Sequence, residues 1–380
     1  MDHARLVAGV FERGVSYMKC FLRLPLLLLC VVTLTLACKK EAPLPVEQPK
    51  PEVKAVPAPP PAPKSDPTCV GPISAGTPEK VTIGDQTWEL NGSTMTLKSE
   101  LKNKELVIGA VTDIKEDTDE NKANLKKLVE FFKKNKARLI VVAGDTGQNQ
   151  KELEGALEVL ASAKIPVFNI VGNREGKTEY RNAMVGLRAK YGNVFDLNVI
   201  RKVATPVVDI VSMPGYFNAS YLHNDDGCIY YPADLEALSG LVKSCKEPVL
   251  LVSHGGPKQE GPEALDRTAE GENRGDPGLA KVMAENKVPF GIFGNFHEAG
   301  GRATDLSGTT KLEENKAVDS LYINPGPADA VKWMMNDGSE SEGMGAILTL
   351  KDGKMIHQIH RIGGKPAPKA PAKAKKAKGK

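Results

Sequence analysis

No two cysteines in this chain stand at C-x-x-C spacing, so nothing in the sequence proposes a tetrahedral structural zinc. No segment repeats internally, which sets aside solenoids and propellers. The longest apolar run, 24–37, stops short of the ~20 residues that a membrane-crossing helix needs. The lysine-rich C-terminal segment holds no aromatic side chain on which a base could stack, so nucleic acid is not an expected partner.

The two ends of the chain differ from its middle. Residues 1–37 place Lys19 and Arg23 ahead of the apolar run, the order of a secretory signal. Met18 offers a second start, which would make 1–17 an upstream extension. The run closes on Leu34-Thr35-Leu36-Ala37-Cys38, which resembles a bacterial lipobox, so Cys38 is the expected lipidation site. A plain signal peptide and an uncleaved anchor are the alternatives. Residues 38–68 are rich in Pro and Ala; they cannot bury apolar surface and favour extended polyproline II, the composition of a tether. Lys39 is not the Asp that retains lipoproteins at an inner membrane. The expected location is therefore the cell envelope, on the periplasmic face of the outer membrane. Residues 364–380 read as a disordered tail, with seven lysines and no acid in 365–380. Subtracting those seven charges and the net +2 of residues 1–37 from the chain's +4 leaves about −5 for 38–364. The basic character thus belongs to the tail, which solubilises the chain or meets an envelope polyanion.

The middle alternates. Strands are expected at 81–83, 87–90 and 94–97, with Gly84-Asp85 and Asn91-Gly92 as hairpin signals. They form a small β extension over 69–104, packed beside a main domain at 105–363. Beyond it, apolar runs at 106–111, 139–143 and 167–171 are each followed by a helix, around 119–136, 152–163 and 180–191. In the first helix Leu125, Leu128, Val129, Phe131 and Phe132 share one face. Further strands are expected at 207–212, 249–253, 290–293 and 321–323, and a closing hairpin at 346–350 and 355–360 around Asp352-Gly353. This order predicts an α/β sandwich. Cys69, Cys228 and Cys245 remain once the signal and Cys38 are set aside. Cys228 and Cys245 bracket a predicted helix at 233–242 and could pair across it; Cys69 is the competing partner, and one thiol stays free.

Five short stretches each end a strand-like run: Val111-Thr112-Asp113-Ile114-Lys115, Gly144-Asp145, Gly172-Asn173-Arg174-Glu175, Ser253-His254-Gly255-Gly256 and Gly294-Asn295-Phe296-His297. In order and spacing they resemble the calcineurin-like metallophosphoesterases, whose pattern is D-x-H, G-D, G-N-H-E, H and G-H-x-H. Asn324-Pro325-Gly326 resembles that family's late turn, so the resemblance covers about 106–360. It implies a four-layer sandwich of two mixed sheets flanked by helices, and one or two divalent cations (Mn, Mg or Fe) if the protein is active, or none. Such cations generate hydroxide and neutralise phosphoryl oxygens. By position, Asp113 would bind the first metal, Asp145 would bridge, and His297 would complete the first site. Asn173 and His254 would serve the second.

Three family histidines are replaced. A protonated Lys115 has no lone pair for a cation; it is expected instead to stand in for the first metal by pairing with Asp113. Asn295 offers an amide oxygen, so Asp145, Asn173, His254 and Asn295 could still hold one Mg²⁺ or Mn²⁺. Arg174 cannot act as a general acid near neutrality but could clamp a phosphate. The expected protein is a membrane-anchored family member with a degraded dinuclear centre, weak or no phosphoester hydrolysis, and a phosphate-containing or other anionic ligand. Alternatives are a non-catalytic anion- or protein-binding envelope lipoprotein, a pseudoenzyme, and a mainly structural envelope protein. Other residues read blandly. His357 and His360, three apart in a strand, face opposite sides. His223 reads as a surface histidine, and Glu175 and Glu298 as structural hydrogen-bonding groups. Residues 255–278 are either a lid or a plain loop.

Overall fold

A computed structural model describes residues 69–367. The expected signal, the expected lipidation site Cys38, the expected tether and the expected tail beyond 367 lie outside the described residues.

The first three strands, β1 (Glu79–Ile83), β2 (Gln86–Asn91) and β3 (Thr94–Leu97), form a meander where the sequence predicts it. An alternating stretch follows: β4 (Glu105–Val111), α1 (Asp119–Lys134), β5 (Leu139–Val142), α2 (Gln150–Ala161), β6 (Val167–Asn169), α3 (Lys177–Tyr191) and β7 (Val194–Asp196). The second half runs β8 (Lys202–Ala204), β9 (Asp209–Met213), α4 (Pro232–Lys243), β10 (Val249–Ser253), α5 (Pro277–Glu285), β11 (Phe290–Ile292), β12 (Arg302–Thr304), β13 (Leu321–Asn324) and β14 (Trp333–Met334). It closes on the long hairpin β15 (Glu340–Lys351) and β16 (Lys354–Lys365).

Two mixed sheets result. One has the order β1-β2-β3-β8-β9-β10-β11-β13-β12, with β9, β10, β11 and β13 parallel. The other sets β4 to β7 parallel, with β15 antiparallel to β4 and β16 on the far edge of β15. The meander is not a separate extension beside the domain. β3 pairs in parallel with β8 from Thr94–Lys202 to Thr96–Ala204, so the first sheet continues through it. Similarly, β16 runs to Lys365, paired with Glu340, beyond the expected end of the domain at 363.

The central strands are apolar on both faces, as strands buried between two layers must be. Leu106, Ile108 and Ala110 of β4 enter the core between the sheets, whereas Val107 and Val111 pack toward α1–α3. Leu250 and Val252 of β10 enter that same inter-sheet core, and Val249 and Leu251 face α4 and α5. Three apolar layers between four layers of structure make the α/β sandwich. Thr118 caps α1 by accepting from the backbone N–H of Asn121, and Leu125, Leu128, Val129 and Phe132 carry its buried face. Phe131 is only half-buried; it stacks on His360 with ring centroids 4.3 Å apart, while His357 points into the core.

The disulfide joins Cys69 to Cys228, and the half-buried Cys245 is free. The Cys228–Cys245 alternative fails because Pro232–Lys243 is a continuous helix that carries Cys245 away from Cys228. Segment 255–276 is a packed loop. Asp266 accepts from the backbone of Gln259 and Gly275 and from Asn273 Nδ2, and Gln259 Nε2 donates to the carbonyls of Asp305 and Leu306. α5 follows it directly, with Asp276 as N-cap and Pro277 in its first turn. Among the described residues no helix is long and apolar enough to cross a membrane.

Candidate metal centre

Six side chains singled out by the motifs leave the C-terminal ends of parallel strands, three from each sheet. Asp113, Asp145 and Asn173 follow β4, β5 and β6; His254 follows β10, and Asn295 and His297 follow β11. Loops at such ends face one crevice, because parallel strands all finish on the same side.

The backbone makes room for them. A Cβ at Gly172 would sit 2.2 Å from Asp145 Oδ1, and one at Gly294 would sit 2.0 Å from Thr112 Oγ1 and 2.8 Å from Asp113 Oδ2. The motif glycines are therefore required by close approach to the carboxylates. Asp113, Lys115, Asp145 and Asn295 all adopt positive φ, between 52° and 69°. Such conformations are costly for side-chain-bearing residues and persist where the surroundings enforce them. Here the bonds Asp113 N–H to Gly144 O (3.1 Å), Lys115 N–H to Asp145 O (2.8 Å) and Gly294 N–H to His254 O (2.8 Å) cross-brace the loops.

Asp113, Asp145 and His254 are buried, and one ligand atom of each lies within 4.8 Å of the others, an arrangement able to hold a metal ion. Asp113 Oδ2 accepts from Thr112 Oγ1 (2.8 Å) and the backbone N–H of Asn295 (3.1 Å), and Oδ1 lies 3.1 Å from His297 Nε2. Asp145 Oδ1 accepts from the backbone N–H groups of Asn173 (3.1 Å) and Arg174 (3.0 Å). His254 Nδ1 lies 2.8 Å from the Ala143 carbonyl, so it carries a proton and leaves Nε2 as the ring's lone pair. That Nε2 stands 2.9 Å from Asn173 Oδ1 and 3.2 Å from Asp145 Oδ1. Asn173 is held in this sense by donating its Nδ2 to the Tyr221 carbonyl at 2.7 Å. Two acceptor oxygens thus face Nε2, which bears either a proton or a metal. Burial alone would lower the His254 pKa; the Asp145 carboxylate outweighs it and pushes the ring up to about 10. Burial likewise opposes ionisation of Asp113, yet His297 and its other cationic neighbours hold it well below the usual carboxylate range.

Glu175 is fully buried and accepts from the backbone N–H groups of Thr146 (2.5 Å) and Gly172 (2.9 Å), tying the Asp145 loop to the Asn173 loop. Burial, then the nearby Asp145, raise it to about 7. Glu298 accepts from Ala269 N–H at 2.7 Å. His223 is exposed; its backbone N–H bonds the Asn173 carbonyl.

Lys115 does not pair with Asp113. Its ammonium bonds Asp329 Oδ2 at 2.8 Å and lies 4.1 Å over the Trp333 ring. Trp333 Nε1 donates to the other Asp329 oxygen at 3.0 Å, and its ring packs 4.2 Å from His297. The correction has a clear cause: Asp113 already spends its oxygens on Thr112, Asn295 and His297, while Asp329 is 2% exposed and has no other cation among the described residues. Asp329, Trp333 and Tyr216 are site residues that the motifs miss. Tyr216 OH accepts from Asn295 Nδ2 at 3.0 Å, turning that amide within the site. The Asn324-Pro325-Gly326 turn, a few residues before Asp329 and Trp333, was the available signal.

The family model for calcineurin-like phosphoesterases matches residues 106–299. The chain belongs to that family. Among solved structures it is similar to TT1561 of Thermus thermophilus, at 13% identity and a TM-score of 0.45, over 67% of this chain and 98% of that one. It is also similar to a dimetal phosphatase from Danio rerio, at 14% identity and a TM-score of 0.46, over 67% and 96%. A third is GAP50, the anchor in the inner membrane complex of Plasmodium, at 15% identity and a TM-score of 0.43, over 69% and 90%. No curated protein matches the chain significantly.

Proposed function

We propose that this member of the calcineurin-like phosphoesterase family is a lipid-anchored envelope protein whose degraded centre holds one divalent cation and binds a phosphate-containing ligand, with hydrolysis weak or lost. One observation carries the cation: buried Asp113, Asp145 and His254 each bring a ligand atom within 4.8 Å of the others, and Asn173 Oδ1 stands 2.9 Å from His254 Nε2. Those four residues would hold Mn²⁺ or Mg²⁺, and the amide oxygen of Asn295 is free to join them. Bound there, the ion supplies charge neutralisation for phosphoryl oxygens and acidifies a bound water.

The chain's own residues limit the chemistry. Arg174 has no proton to give a leaving group near neutrality, so it serves as a phosphate clamp. Lys115 occupies a ligand position with an ammonium already committed to Asp329. His297 keeps Asp113 oriented but stands without a histidine at 115 to complete the first site. This last point favours the non-catalytic reading over efficient hydrolysis. Lipidation at Cys38 and contact of the lysine-rich tail with an envelope polyanion complete the proposal; both rest on composition and on the lipobox resemblance.

Metal content by mass spectrometry, with turnover of generic phosphomonoesters and phosphodiesters in Mn²⁺, tests the centre. About one ion per chain, lost in Asp145→Asn, is expected, with turnover near background. Two ions per chain and brisk hydrolysis would remove the degraded-centre reading; a folded chain with no metal would remove the cation.

A further inference from the structure

Beside the metal cluster lies an open cleft of about 510 Å³ whose lining mixes charge and carbon. Arg174 is part of that lining. Its Nε is buried without a partner, and among the described residues its guanidinium meets no carboxylate. Ala330, Val331 and Trp333, consecutive or nearly so in sequence, supply a wall of carbon. Val331 is 52% exposed, so apolar surface reaches the rim. The wall is rigidly built. Both oxygens of Asp329 are taken, one by the Trp333 indole N–H and the other by Lys115, whose ammonium also covers part of the ring. Lys115, at a family metal-ligand position, is thus an element of this wall.

We propose that the cleft is the subsite for a bulky apolar organic group of a phosphate monoester, with Arg174 holding the phosphate and Val331 and Trp333 contacting the organic part. This deepens the reading of the site as a phosphate binder and rests on it. A cation without a protein partner calls for an anion, and an apolar wall lining the same cleft calls for carbon in the same molecule. Glu116 and Glu120 also line the cleft and disfavour a second phosphate. The organic group comes either from a soluble aryl ester or from a lipid phosphate; both present one anion attached to apolar surface.

Calorimetry on the full chain with Mn²⁺ and three non-hydrolysable probes separates the cases: methylphosphonate, naphthylmethylphosphonate and octylphosphonate. At least one of the larger probes should bind about tenfold tighter than methylphosphonate, the aryl or alkyl arm naming the source. Val331→Asn should cut that preference to about threefold or less and leave methylphosphonate affinity unchanged, and Trp333→Ala should cut the preference as well. The exposed Val331 variant guards against misfolding of the other. Equal affinity for all three probes would overturn the subsite and leave the phosphate reading standing, as would a preference that survives both variants. Failure of all three to bind would overturn both.

Discussion

Lys115 and Asp329 are 214 positions apart in sequence and 2.8 Å apart in space. Both are at least nine-tenths buried, so each depends on the other for its charge. The two partners are not equivalent. Asp329 also accepts from Trp333 Nε1 and from the backbone of Val331, whereas Lys115 has a single carboxylate partner among the described residues. Asp329→Ala should therefore destabilise the fold by about 3–5 kcal/mol, as expected for a stranded buried charge, and Lys115→Met by less. The double variant should recover most of the loss. Urea denaturation of the three variants checks this; equal costs for the two single changes would mean the pair is not the unit described.

At the scale of elements, strand ends position chemistry and also carry titratable groups. Asp196 closes β7 and accepts from Tyr180 OH on α3 and from the backbone of Asn198. Burial raises it to about 6 from the usual 3.8. Between those values the folded chain binds the proton more tightly than the unfolded one. The associated stability is present below pH 4 and is lost as pH rises through about 6. Asp196→Asn keeps the acceptor oxygen and does not titrate. Its stability relative to the parent should rise between pH 4.5 and 7.5 by on the order of 1–2 kcal/mol, allowing for partial exposure. Melts at the two pH values decide it; a difference that stays constant would rule out Asp196 as the titrating group. Elements with strong periodicity, such as α1 and the β15–β16 hairpin, were legible in sequence. Asp352 and Gly353 both adopt positive φ, the turn their residue types favour. α5 was not legible, because Pro277-Gly278 reads as loop until Asp276 is seen capping it. Nor was β14, whose two residues carry no period of their own.

Across the whole molecule, the disulfide closes a 159-residue separation. Cys228 also belongs to the segment that returns to Tyr216, through the Tyr216 N–H to Cys228 O bond. The bond therefore links the start of the described chain to the loop that orients Asn295. On the chain-entropy account, reduction or a Cys69→Ser, Cys228→Ser double change should cost roughly 3–5 kcal/mol. Thermal melts with and without reductant measure it. An unchanged midpoint under full reduction would show that the crosslink does not constrain the unfolded chain. Cys245 does not complicate the experiment, since burial pushes its thiol up to about 12 and keeps it poorly reactive.

The sequence alone determined the family, the layered fold and the five cluster positions that match the family pattern, because strand periodicity and motif order are local properties that survive without coordinates. Only the tertiary structure decided which carboxylate Lys115 would take, which cysteine Cys228 would join, and that the N-terminal meander extends the main sheet. Each of these is a choice among distant partners. It is settled by which groups the strand ends bring within a few ångströms, after burial has made an unpaired charge too costly to keep.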